Sequence, residues 1–84
     1  MTPPPPGRGG LGLRIGVTGG LDGAMRVLST LRGRGYRVRG LSLHVDEAGD
    51  ASVLDCVVAT SPSEVGLLLE RLRRLPAVLG AAET

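Results

Sequence analysis

Between Leu11 and Thr18 the chain alternates without a break: Leu11, Leu13, Ile15 and Val17 stand against Gly12, Arg14, Gly16 and Thr18. A period of two marks a half-buried strand. The period then changes. Beyond Thr18-Gly19-Gly20-Leu21-Asp22-Gly23, a glycine-rich turn, Ala24, Val27, Leu28 and Leu31 recur at helical spacing, with Arg26, Ser29 and Arg32 on the other side. A strand that runs straight into an amphipathic helix points to layered α and β structure. Gly33 and Gly35 end the helix, and Arg32 and Arg34 suit the negative C-terminal end of its dipole.

The same alternation resumes in Tyr36-Arg37-Val38-Arg39-Gly40 and again in Leu41-Ser42-Leu43-His44-Val45, but the two halves are out of phase. One extra residue near Gly40 reconciles them, which predicts a bulge there. Asp46-Glu47-Ala48-Gly49-Asp50 reads as a hairpin turn with glycine where positive φ is needed. Ala51 to Ala59 is a third strand, so continuously apolar that the face carrying Asp55 stays hidden. Ser61-Pro62-Ser63-Glu64 predicts a capping box, with Ser61 as N-cap and Pro62 at the first helical position. Val65, Leu68, Leu69 and Leu72 form the inner stripe of this second helix, while Glu70, Arg71, Arg73 and Arg74 face water. Pro76 stops it, and Ala77 to Ala82 is a last short strand. The order βαββαβ predicts an α+β, ferredoxin-like sandwich: a four-stranded antiparallel sheet with two helices on one face. The domain spans residues 11–84. Ahead of it, Met1–Gly10 holds four consecutive prolines and three glycines, the composition of a disordered, extended tail.

Composition narrows the function. The chain has 84 residues, no Phe, no Trp, one Tyr, one His and one Cys; all ten basic residues are Arg, and Asn and Gln are absent. No nucleophile–base pair and no metal cluster can be assembled from this set, so neither catalytic residues nor a metal site is expected. RNA-binding relatives of this fold stack bases on sheet aromatics, and Tyr36 alone supplies none of that platform. A metal carrier needs paired cysteines in the first loop, and an acyl-phosphate hydrolase needs an Asn to position water; both are missing. Net charge is +2 without a polybasic tract, which gives no reason to expect nucleic acid as a partner. Cys56 lies in an apolar run and reads as a buried hydrophobe in a reducing compartment. With neither a signal-peptide core nor a run of transmembrane length, a cytoplasmic location without membrane association is expected.

Three constellations remain as candidate sites. Gly20, Leu21, Asp22 and Gly23 let backbone approach a ligand, and the helix start behind them offers free N–H groups to a carboxylate. Arg32, Arg34, Arg37 and Arg39 form a dense cationic cluster, suited to docking a partner or an anion because guanidinium forks pair with carboxylates and phosphates. His44 has no second His or Cys beside it and reads as a structural or surface histidine and not as a ligand.

Two segments carry a family resemblance. Arg26-Val27-Leu28-Ser29-Thr30-Leu31-Arg32-Gly33-Arg34-Gly35-Tyr36-Arg37-Val38, followed by Gly40-Leu41-Ser42-Leu43, resembles the first helix and second strand of ACT domains. Val58 to Leu72, with Leu75-Pro76-Ala77-Val78, is similar to the second helix and last strand of the short small subunits of acetolactate synthase, which are little more than one ACT domain. The match runs from Leu11 to about Ala82. It implies a non-catalytic regulatory or activating subunit, a homodimer, and a separate acetolactate synthase large subunit that carries thiamine diphosphate, magnesium and FAD. It also implies an amino-acid effector site, at Gly20–Gly23 and Arg37, with Arg32, Arg34 and Arg39 left for docking the partner. The turn lacks the proline usual in amino-acid-sensing members, and Arg37 stands where those carry an Asn. A cation with donors only repels an ammonium group, so valine, leucine and isoleucine are expected to bind weakly or not at all.

Overall fold

A computed structural model describes residues 10–45, 51–61 and 63–84. The elements are β1 (Gly10–Thr18), α1 (Gly20–Gly33), β2 (Arg37–Val45), β3 (Ala51–Ala59), α2 (Val65–Arg73) and β4 (Val78–Glu83). The sheet order is β2-β3-β1-β4, and every neighbouring pair is antiparallel. This is the βαββαβ, ferredoxin-like arrangement expected from the period changes. α1 lies over β2, β1 and β3, and α2 lies over β4.

Strand parity decides what is buried. Leu13, Ile15 and Val17 of β1 and Leu54, Cys56 and Val58 of β3 turn to the helices. They meet Ala24, Val27 and Leu31 of α1 and Leu68 and Leu72 of α2. Nine-tenths or more of each of these side chains is removed from water, which makes this aliphatic layer the dominant stabilising contribution. The opposite face of the sheet is open. Asp55, whose face the sequence leaves undetermined, lies there and accepts a hydrogen bond from Arg14 Nε at 2.9 Å. The Asp55 hydrogen bond and its negative charge together hold the Arg14 guanidinium more firmly protonated.

Glycine conformations explain two of the boundaries. Gly35 has φ 84°; its N–H bonds the Arg32 carbonyl and the Tyr36 N–H bonds the Leu31 carbonyl, both at 3.0 Å. That pair of bonds is a Schellman stop. Tyr36 therefore belongs to the helix cap, packed on the core, and β2 begins one residue later than the alternation suggests. Gly40 has φ 61°, and the β2–β3 register shifts by one between Arg39 and Ser42, which is the bulge the phase change predicts.

Three readings need correction. Gly20–Gly23 is the first turn of α1, not a free loop, and only Gly19 separates β1 from the helix. The second helix starts at Val65, and Ser61 does not cap it: its hydroxyl pairs with Ser63 Oγ, while Thr60 donates to Glu64 Oε2. Arg73 does not simply face water but reaches back to β4. Gly10 belongs to β1; the remaining tail, the Asp46–Asp50 turn and Pro62 lie outside the described residues.

Candidate functional site

The strand directions separate the two halves of the expected effector site. β1 ends at Thr18, level with Ala51 of β3, and α1 starts there. Arg37 is level with Ala59, which pairs with Gly10 at the other end of β1. Eight strand steps lie between, roughly 26 Å at about 3.3 Å per residue. Within one chain, Gly20–Gly23 and Arg37 cannot touch the same small ligand.

At the α1 end, Thr18, Gly19, Asp22, Gly23 and Arg26 face Pro76 and Ala77 across an open cleft of about 390 Å³. A main-chain bond, Thr18 N–H to the Ala77 carbonyl at 2.8 Å, ties its walls together. Gly19 (φ 83°) and Gly20 (φ 59°) turn the chain into the helix, and no side chain caps the first N–H groups. Gly23 is buried so close to β1 that a Cβ would overlap the Thr18 carbonyl. Its N–H reaches the Gly19 carbonyl at 3.5 Å, which leaves Gly20, Leu21 and Asp22 as the donors free of that contact.

At the other end, Arg32, Arg37 and Arg39 line a shallow depression of about 530 Å³ with Tyr36 and Val38, and Arg34 stands exposed on the helix cap beside it. None of these four guanidiniums has a carboxylate within ion-pair distance among the described residues. The structure thus brings the docking cluster together as one cationic patch, Arg37 included.

A surface between these ends was not legible beforehand. At 100° per residue, Leu21, Met25, Leu28 and Arg32 share one flank of α1, and Asp22 and Arg26 share the other. The second flank faces Pro76 and Ala77, so the first faces the β2 side. There Leu21 is 63% exposed and Met25 53%, and the neighbouring edge strand leaves Leu41 at 51% and Val45 at 55%. The helical count placed Leu28 in the core stripe but could not show that Leu21 and Met25 stay exposed on the flank towards an edge strand. His44 sits on the open sheet face with Nε2 3.4 Å from Ser42 Oγ, as a surface histidine would.

Cys56 is buried and free; burial first, then the neighbouring Asp55 charge, pushes its thiol up to about 11. Among the described residues no group of three or more His, Cys, Asp or Glu converges on a point that could hold a metal ion. No helix among them is long and apolar enough to cross a membrane. Compared with protein-family models and with curated proteins, the chain matches none.

Proposed function

We propose that this chain is a non-catalytic regulatory or activating small subunit that binds a thiamine-diphosphate-dependent acetolactate synthase large subunit. Thiamine diphosphate, magnesium and FAD belong to that partner, and this chain contributes contacts that favour its active conformation, shifting a population by differential affinity. The observation that carries the reading is the exposed β2 side, where Leu21, Met25, Leu41 and Val45 adjoin Arg32, Arg34, Arg37 and Arg39, none of them ion-paired among the described residues. Contiguous exposed apolar surface rimmed by charge marks an interaction site. The resemblance to ACT-type small subunits supplies the identity of the partner, and the buried free thiol fits a reducing, cytoplasmic setting.

The main-chain edge of β2 suits a homodimer, which leaves the exposed side chains of that side and the arginine cluster to the large subunit. A nine-residue edge strand with exposed leucine and valine leaves main-chain groups for a second copy, and an 84-residue chain without Phe or Trp gains from a shared core. Antiparallel pairing of two β2 edges sets the start of one beside the end of the other. Arg37 of a second copy then comes to the end where α1 begins. This reunites the two halves of the expected effector site across a dimer and gives the second reading, a free-standing ACT dimer that binds a small amino acid with its carboxylate on the first turn of α1. Arg37 of the second copy weakens the hold on the ammonium group.

The test is the rate of acetolactate formation by the purified large subunit with and without this chain. The subunit reading requires no turnover of pyruvate by the chain alone and a higher rate for the mixture. Equal rates reject it, and calorimetric heat with millimolar valine, leucine or isoleucine would then favour the sensor.

A further inference from the structure

The two edges of the sheet are finished differently. Thr84 donates its N–H to the Gly12 carbonyl at 2.9 Å, so Gly12 and Thr84 form a hydrogen-bonded pair of the β1–β4 ladder. Bonded and non-bonded pairs alternate along an antiparallel ladder. By the register, Arg14/Ala82 and Gly16/Gly80 exchange bonds, whereas Leu13/Glu83 and Ile15/Ala81 do not. Ala81 and Glu83 therefore turn their N–H and C=O groups away from β1, out of the open edge. Arg73, in the last turn of α2, donates from Nη2 to the Ala81 carbonyl at 2.9 Å. One of the two outward carbonyls, at the middle of the strand, is thereby taken, and a guanidinium lies across the approach.

Other features blunt the same edge. β4 has six residues, its register slips at Leu79 between Gly16 and Val17, and Glu83 adds a charge. β2 has nine residues, and among the described residues no side chain bonds its main chain. β2 carries a bulge of its own at Gly40 and the charges of Arg37 and Arg39, so the two edges differ in length and in the occupied Ala81 carbonyl. Short, covered edges resist strand addition, and long free ones invite it.

We propose that Arg73 is an edge guard: it closes β4 to strand addition, confines main-chain pairing to β2, and so makes a second copy of this chain the last one added. The limit of two rests on the dimer reading above; the closure of β4 does not. A chain with both edges open has two adhesive sides and propagates instead of closing.

Sedimentation velocity over a wide concentration range tests this on the full chain, with circular dichroism to verify folding. Arg73→Met keeps the apolar stem and removes the donors; Arg73→Lys restores a donor and the charge. The expected result is a wild-type mass that levels off at the dimer and an Arg73→Met mass that keeps rising to at least double that plateau, with Arg73→Lys returning towards wild type. A folded Arg73→Met protein that tracks wild type at every concentration overturns the guard. A monomeric wild type overturns the dimer reading alone, and the guard then requires Arg73→Met to dimerise through β4. Where Arg73→Met fails to fold, Arg73→Gln is read with the same two outcomes.

Discussion

Among the described residues, Ser52 is the buried one whose chemistry contradicts its surroundings. It is 2% exposed, on the helix-facing side of β3, between Val17 of β1 and Val45 of β2 in the sheet. Among the described residues its Oγ is the one buried side-chain polar atom with no hydrogen-bond partner. A hydroxyl stripped of water and left unbonded costs about 1–3 kcal/mol. Ser52→Ala removes that cost and keeps the Cβ packed. The oxygen leaves a hole smaller than a methylene, which returns less than about 0.8 kcal/mol. The net expectation is a gain of about 1 kcal/mol, which raises Tm by about 4–8 °C in a domain of this size. Thermal and urea denaturation, at one fixed protein concentration because association would also shift Tm, read this directly. Thr60 is the control: it is nearly as buried, but its hydroxyl donates to Glu64 Oε2 at 3.3 Å. Thr60→Val is therefore expected to lose about 0.5–1.5 kcal/mol. If Ser52→Ala melts lower than wild type by a similar margin, the Ser52 hydroxyl is bonded in solution and the reasoning fails.

Other substitutions separate packing from propensity. Gly23→Ala forces a Cβ into the Thr18 carbonyl, so α1 must shift and stability is expected to fall by at least about 2 kcal/mol, on the scale of overpacking. Gly66→Ala, in α2 with nothing near its Cβ position, is expected to gain about 0.4–1 kcal/mol; a loss in the same urea titration would contradict that. Cys56 has a folded pKa raised from 9.0 to about 11, so the protonated thiol is favoured by folding. That stabilisation is fully present below pH 9 and is lost as pH rises from 9 through 11, where urea midpoints should drop in wild type but not in Cys56→Ala. Prompt thiol labelling of the native protein at pH 8 would contradict the burial behind this. The Arg14–Asp55 pair is open to solvent, and Asp55→Asn is expected to change stability little and less still at high salt; a large, salt-independent loss would show that the pair is shielded.

Much of the fold was legible because side-chain period and glycine placement are local properties. Alternation located β1 to within one residue, and the phase break at Gly40 exposed a bulge because a single inserted residue inverts every side chain after it. The capping reading failed for a physical reason. Ser61 and Glu64 have the right spacing, but the Glu64 N–H bonds the Ser61 carbonyl ahead of the helix, and the Glu64 carboxylate instead accepts from Thr60. The candidate site was less legible, because distance between segments is set by strand direction and not by residue type. Arg37 and Gly20–Gly23 read as neighbours in the family pattern, yet sit at opposite ends of one sheet. Asp55, Ser52 and Arg73 were unreadable for the same reason: what each meets lies on another strand.

The central claim is that this chain acts by binding a catalytic partner through the β2 side and its arginine cluster. Its most direct test is sedimentation of the purified chain mixed with the purified acetolactate synthase large subunit, for wild type and for an Arg32→Glu, Arg34→Glu, Arg39→Glu variant verified as folded. The account expects a stable complex with wild type and its loss in the variant. Separate sedimentation of the two wild-type proteins, or an unchanged complex with the charge-reversed chain, would contradict it.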